Sequence, residues 1–120
     1  MELEERTYQL LDLSYVREIA KGDVAYERNV ARLFVDLIPE NLSSLERDMA
    51  MGHYAKVKTT LHHMQSSISI MGFYPKLEKY MEPTVYTDLP IALFRTHVHI
   101  IIAICREALV EARHYLHSLN

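Results

Sequence analysis

Histidines are the residues of this chain with the widest chemical range, because a neutral imidazole can bind a metal, move a proton or act as a nucleophile. The chain has seven of them. His97 and His99 are two residues apart, so on a helix they face different sides and cannot share one metal ion. Glu111 and His114 form the Glu-x-x-His unit of di-iron bundles, but such a site needs a second copy, which the sequence lacks. We interpret Glu111, His114 and His117 as solvated helix-end residues, and no metal site is expected.

His62 stands in a different setting, within a segment that reads as a helix from about Tyr54 to about Met71. On a helical wheel the predicted core face consists of Val57, Thr60, Leu61, Met64, Ile68 and Met71. The opposite face carries His62 together with Lys58, Thr59, Gln65, Ser66 and Ser69. His63 lies about a quarter turn from His62 and is interpreted as an edge histidine at the flank of the bundle. An exposed imidazole among small polar side chains leaves room for a partner, and it could accept a phosphoryl group.

The string from His62 to Gly72 resembles the phosphorylation motif of histidine phosphotransfer (HPt) domains, His-x-Leu-Lys-Gly-Ser-Ala-x-x-Leu-Gly. The positions in register are His62, Met64, Ser67, Met71 and Gly72. Flanking residues also look like the family's pattern, namely Leu33-Phe34, Pro39-Glu40, Leu45 and Gly52. The resemblance implies that His62 is the phosphoacceptor and that Gly72 lets a neighbouring helix pack closely.

Two positions depart from this motif: Gln65 replaces the usual lysine, and Ser66 replaces the usual glycine. A side chain at position 65 leans back over His62, where the family's lysine could steady a phosphoryl group, whereas Gln65 offers a neutral amide. Lys58 lies one turn earlier and leans away. By the resemblance, Gln65 is the phosphoryl-stabilising position, and the partner-binding residues are Lys58, Thr59, Ser66 and Ser69.

The resemblance implies a phosphorelay intermediate that works with response-regulator receiver domains and a hybrid histidine kinase. His62 would take a phosphoryl group from a receiver aspartyl phosphate and pass it to the aspartate of another receiver. The receiver would supply Mg²⁺, so no cofactor is expected on this chain, which would be a phosphoryl carrier and not an enzyme. The alternative is a scaffold bundle that binds receiver or kinase partners without taking phosphate.

The elements that must position His62 are predicted to be helical, because three glycines and four prolines are too few for the turns of an all-β fold. A short helix with Leu13, Val16 and Ile19 on its apolar face is expected to be capped by Asp12 or Ser14 and to end at Gly22. Asp23 can cap the next helix, whose apolar positions are Val30, Phe34, Ile38, Leu42, Leu45 and Met49; they keep helical phase through Pro39, which predicts one kinked helix.

After the His62 helix we expect a shorter helix near Lys76 to Met81, which Pro75 could start, and then a loop from Glu82 to Leu89. Pro90 suits the first turn of the last helix. Its predicted apolar seam is Ile91, Phe94, Val98, Ile101, Cys105, Ala108, Ala112, Tyr115 and Leu119. The predicted fold is all-α: an up-and-down antiparallel four-helix bundle with an extra short N-terminal helix, forming one HPt domain over residues 1–120.

Charge and composition narrow the partners and the compartment. Thirteen Lys and Arg against sixteen Asp and Glu leave a formal charge of -3, so neither nucleic acid nor an anionic membrane surface is an expected partner. Cys105 is the only cysteine, and the acidic start of the chain does not resemble a leader, which favours the cytoplasm. The apolar run from Val98 to Cys105 is much shorter than the roughly 20 residues of a spanning helix. We expect a free-standing monomer.

Overall fold

The structure, a computed structural model, describes residues 8–82 and 88–120, and the regular elements in these two ranges are all helical. In chain order they are α1 (Ser14–Ala20), α2 (Val24–Ala50), α3 (Tyr54–Ile70), a 3₁₀ turn (Tyr74–Lys76), α4 (Glu78–Met81) and α5 (Ile91–Ser118). The prediction of an all-α fold is confirmed. Most of the loop expected between Glu82 and Leu89 lies outside the described residues.

The long helix α2 is the centre of the packing, since α1, α3 and α5 all contact it. Asp23 caps its start by accepting a hydrogen bond from the backbone N–H of Tyr26 (3.1 Å), as expected. The helix continues without a break past Pro39, so the prediction of a single helix is confirmed, while the kink stays a prediction. Of the predicted apolar positions only Val30 is half-buried; the others are buried.

The short helix α1 buries Val16 and Ala20, together with Leu13 just before it. The predicted core position Ile19 is wrong, because this side chain is 47% exposed. Buried positions 13, 16 and 20 already follow helical spacing, which leaves residue 19 on the outer side. The helix ends as predicted: Lys21 (φ 50°) and Gly22 (φ 89°) both adopt left-handed backbone.

The last helix, α5, buries most of the predicted seam and adds Ile102 and Leu109 to it. Ile91, in the first turn, was predicted wrongly, because its side chain is exposed. Leu119, just beyond the last turn, is half-buried and packs against the core. Helix ends overhang the core, so periodicity alone overestimates their burial. Cys105 is fully buried, and desolvation raises the pKa of its thiol to about 12, which keeps it protonated and unreactive at neutral pH.

The segment after α3 contributes buried side chains to the core between α3 and α5. Phe73, Leu77 and Met81 are completely buried, and α4 packs against both α3 and α5. The shorter helix predicted near residues 76–81 is thus present as a 3₁₀ turn followed by α4. Within the described part of the chain, no helix has the length and apolar character needed to cross a membrane.

Candidate functional site

The helix α3 presents its two faces as the wheel predicted. Its buried face is formed by Val57, Leu61, Met64 and Ile68, none of which retains accessible surface, and Met71 continues this face just beyond the helix. His62, Ser66 and Ser69 are exposed on the other side. Thr60 was predicted to belong to the core face but is only half-buried, because it lies at the edge of that face. A rigid helix anchored along its whole length therefore presents the His62 imidazole to solvent.

His62 and His63 are both exposed, with ring centroids 6.2 Å apart, but they have different surroundings. His63 lines a depression between α2 and α3 together with Arg47, Asp48 and Lys56. This agrees with its predicted place at the flank of the bundle. His62 lies on the side of α3 that also carries the exposed Ser66 and Ser69, four and seven residues later, which we call the serine face. The two histidines are therefore distinguished by the residues around them and not by exposure.

Gln65 is half-buried at the side of α3 that faces α4. Its side-chain N–H donates to the backbone carbonyl of Met81 (3.4 Å), the last residue of α4. The amide expected to lean over His62 is therefore engaged in a contact between helices. A last-turn carbonyl of a short helix needs such a donor, which explains the contact.

Lys58 and Thr59 occupy the turn before His62. Lys58 was assigned to the open face, but it is half-buried, and its Nζ lies 5.6 Å from the centre of the Phe94 ring on α5. A long side chain at the edge of a helix can lay its methylenes along a neighbour, and the aromatic ring attracts its charge. Thr59 is exposed, and its hydroxyl donates to the carbonyl of Ala55 one turn back (3.1 Å). Lys58 thus belongs to the flank of α3. Thr59 is exposed in the turn before His62 and also lines the depression that contains His63.

A cavity of about 590 Å³ opens at the C-terminal end of this face. Its lining is Tyr15 from α1 and Gln65, Ser66, Ser69 and Ile70 from α3. Tyr15 is 54% exposed and Ile70 is also exposed, so both offer apolar surface to a partner. Sequence reasoning missed both residues. No sequence signal pointed to them, because Tyr15 and Ile70 meet only through the packing of α1 near the end of α3.

Gly72 ends the motif with a left-handed backbone (φ 82°). A Cβ at this position would overlap the carbonyl oxygen of Asp12, whose N–H donates to the carbonyl of Met71 (3.1 Å). The resemblance implied that Gly72 lets a neighbouring helix pack closely. Close packing is present, but its partner is the non-helical segment before α1 and not a helix. The glycine is needed both for its φ angle and for this approach.

A buried carboxylate, missed in the sequence, lies where α2 turns into α3. Arg47 donates to both oxygens of Asp48 (3.4 Å each), and His53 Nδ1 is 3.6 Å from one of them. Hydrogen bonding to Arg47 holds the pKa of Asp48 below its usual range. His53 also donates its backbone N–H to the Asp48 carbonyl (2.8 Å). This cluster fixes the start of the helix that carries His62.

The C-terminal part of α5 corrects the prediction of Glu111 as a solvated residue, whereas His114 and His117 are exposed as predicted. Glu111 is half-buried and accepts the backbone N–H groups of Leu10 and Leu11. His114 Nδ1 lies 2.8 Å from the hydroxyl of Tyr8. Residues 100 positions away supply these contacts, so no local pattern could indicate them. Among residues 8–82 and 88–120, no group of three His, Cys, Asp or Glu side chains could hold a metal ion.

No family model, curated protein or solved structure matches this chain. What the protein does is therefore inferred from the chemistry of the α3 surface and from the motif of residues 62–72. That surface combines an exposed imidazole, two exposed serines within two turns of it and an open cavity at the end of the same face. Such an arrangement suits a nucleophile that meets a macromolecular partner.

Proposed function

We propose that this protein is a histidine phosphotransfer domain. His62 accepts a phosphoryl group from an aspartyl phosphate on a receiver domain and relays it to the aspartate of another receiver. The observation that carries this proposal is the exposure of His62 in the middle of a helix whose opposite face is completely buried. A nucleophile on a rigid support keeps its position when the partner docks, which in-line transfer requires.

Phosphoryl transfer requires only a nucleophilic imidazole from the carrier protein. A nitrogen of the neutral imidazole attacks phosphorus, an N–P bond forms, and the P–O bond of the acyl phosphate breaks to release the receiver's carboxylate. The other ring nitrogen can give up its proton to solvent. Mg²⁺ on the receiver offsets charge on the phosphoryl oxygens, so this chain needs no cofactor of its own. It acts as a phosphoryl carrier and not as an enzyme in its own right.

The surface next to His62 supports docking of a receiver domain or of the receiver module of a hybrid histidine kinase. Ser66 and Ser69 are small and exposed, so a partner can bring its aspartate close to the imidazole. Tyr15 and Ile70 border the adjoining cavity and provide exposed apolar area. Aromatic residues in such positions contribute strongly to protein interfaces. Thr59, in the turn before His62, belongs to the rim of the docking surface in this proposal. Neither nucleic acid nor a membrane is proposed as a partner.

Stabilisation of the phosphorylated state is divided between the two proteins. Gln65 can move from the Met81 carbonyl to a phosphoryl oxygen, but it brings no charge. Lys58 is drawn toward Phe94 at the flank. Most of the compensating charge must then come from the receiver, which favours a phosphohistidine that is passed on readily.

The finer architecture is part of the same proposal. In it α2, α3, the segment containing α4, and α5 form an up-and-down antiparallel four-helix bundle, with α1 as the extra short helix. The contacts of α2 with α3 and α5, and of α4 with α3 and α5, support this arrangement. We further propose one domain over residues 1–120 that acts as a monomer in the cytoplasm, where receivers and the kinase are found.

A scaffold that binds receivers without accepting phosphate is the second candidate, and the Gln65–Met81 contact favours it. A side chain whose amide is committed to holding two helices together contributes nothing to a phosphoryl group. The two candidates share the docking surface and differ in whether His62 becomes modified. Incubation with a phosphorylated receiver, followed by mass spectrometry that preserves acid-labile phosphate, separates them. Phosphate on the wild-type chain supports the relay, and binding without transfer supports the scaffold.

A further inference from the structure

Residues 8–13 precede α1 and tie α5 to the end of α3; we call them the N-terminal strap. The backbone N–H groups of Leu10 and Leu11 both donate to Oε1 of Glu111, over 3.1 and 3.0 Å. The next residue is Asp12, whose N–H donates to the carbonyl of Met71 over 3.1 Å. The strap is thereby fixed at α5 on one side and at the end of α3 on the other.

Glu111 is a side chain of α5 that holds the strap through hydrogen bonds. One carboxylate oxygen accepts two consecutive backbone N–H groups, and the second oxygen lies 3.3 Å from the Leu10 nitrogen. Hydrogen bonds to an ionised acceptor are stronger than neutral ones. Both N–H groups are partly buried, so loss of the acceptor would leave them poorly satisfied.

The strap leads directly into the surface next to His62. Asp12 Oδ1 accepts the N–H of Ser14, the first residue of α1, over 3.0 Å. Tyr15 follows, and it shares the lining of the open cavity with Ser66 and Ser69. A helix of seven residues is too short to be stable by itself, so its placement depends on its flanks and on its few buried residues. The position of Tyr15 is therefore coupled to the attachment of the strap.

We propose that Glu111 is a positioning residue: by holding the strap it keeps Tyr15 at the serine face of α3 and so sets the affinity for the docking partner. This inference rests on the proposed phosphotransfer function. Glu111 touches no reacting atom, because its carboxylate is committed to Leu10 and Leu11. Its removal changes the binding of the receiver and leaves the transfer step within the complex unaltered.

The test compares Glu111→Ala and Glu111→Gln with Glu107→Ala, an exposed glutamate one turn earlier on α5. In Glu111→Ala, hydrogen-exchange protection of the Leu10 and Leu11 amides falls about tenfold. The NMR resonances of the Tyr15 ring shift, and KM for a phosphorylated receiver rises roughly threefold, because the docking-competent state is less populated. The transfer rate at saturating receiver stays at the wild-type value.

Glu111→Gln retains an oxygen that can accept both N–H groups, so it restores most of the protection and of the KM, while Glu107→Ala behaves as wild type. Unchanged Tyr15 resonances in a folded Glu111→Ala protein overturn the inference, as does a lower saturating rate with an unchanged KM. The Tyr15 measurement needs no phosphate. A wild-type chain that takes no phosphate thus overturns the proposed function, and a Tyr15 shift in the same experiments still supports the positioning role.

Discussion

The side-chain amide of Gln65 donates to the backbone carbonyl of Met81, so the residue three positions after His62 on α3 also connects this helix to α4. The position three residues after His62 has thus two possible uses, one in packing and one beside a phosphoryl group. A neutral amide serves the first. A cation would serve the second, because it could compensate negative charge on the phosphohistidine.

Replacing this amide by a cation gives the first prediction. Gln65→Lys shifts the transfer equilibrium with a phosphorylated receiver toward phosphohistidine by roughly fivefold, since an exposed charge contact is worth up to about 1 kcal/mol. The gain shrinks as ionic strength rises, because salt screens the contact. Labelling at equilibrium in low and high salt measures both effects. If only the lysine variant takes any phosphate, the wild-type chain is a scaffold.

The second prediction tests whether docking of a receiver requires the small side chains beside His62. Ser66→Arg places a long, charged side chain where the receiver must approach, and phosphotransfer should be lost. The free energy of unfolding should change by no more than about 0.5 kcal/mol, because the site is exposed. Ser43→Arg, at an exposed serine on α2, is the matched control and should transfer normally. Undiminished transfer by a folded Ser66→Arg protein would show that the receiver docks elsewhere.

The contact between Gly72 and Asp12 supports a third prediction about stability. Both Gly72 and Gly52 have positive φ angles, but a Cβ at Gly52 would meet no atom within 4 Å, whereas one at Gly72 would overlap the Asp12 backbone. Gly52→Ala should cost about 1–2 kcal/mol from backbone strain alone. Gly72→Ala should cost more, roughly 3 kcal/mol, because the strap must also move. Urea unfolding of the two variants measures the difference, and equal costs would contradict the close approach.

A buried pair between α2 and α5 predicts a pH dependence. The Tyr115 hydroxyl donates to the carboxylate of Glu27, and both residues are buried. Burial, and then the carboxylate itself, raise the pKa of Tyr115 above its usual range. The neutral phenol is therefore favoured in the folded state. Its contribution to stability is complete below the unfolded pKa of about 10 and is lost as the pH rises through the folded pKa.

Tyr115→Phe tests this pair. At neutral pH it should lower the free energy of unfolding by about 1–3 kcal/mol, because Glu27 stays buried without its donor. Above about pH 10 the wild type should lose stability more steeply than the variant, which has no phenol to ionise at position 115. Urea unfolding across the alkaline range gives both curves. Parallel curves would contradict the pKa shift.

The pattern of the sequence predicted what depends on local periodicity. It placed α2, α3 and α5 correctly, and it separated the buried Leu61 and Met64 from the exposed His62, because a helix repeats its faces every 3.6 residues. The same periodicity places no helix relative to another. It therefore missed that Tyr15 joins the α3 face and that Lys58 lies along Phe94.

The contacts of the N-terminal strap could also not be predicted from a sequence pattern. Glu111 reads as an ordinary helix-end glutamate, and its role depends on backbone N–H groups about 100 residues earlier in the chain. Every residue except proline has such a group, so nothing in the sequence marks these two. For Gly72, by contrast, the resemblance to the HPt motif implied a close approach, and the approaching segment is the strap instead of a helix.

Mapping of phosphate on the chain is the most direct test of the relay. Wild type, His62→Gln and His63→Gln are each incubated with a phosphorylated receiver and analysed by mass spectrometry under conditions that preserve phosphohistidine. His63→Gln is the matched control, because it removes an exposed imidazole from the adjacent position of the same helix. We expect that the wild type and His63→Gln are labelled and that His62→Gln is not. Labelling of His62→Gln, or an unlabelled wild type, would contradict it.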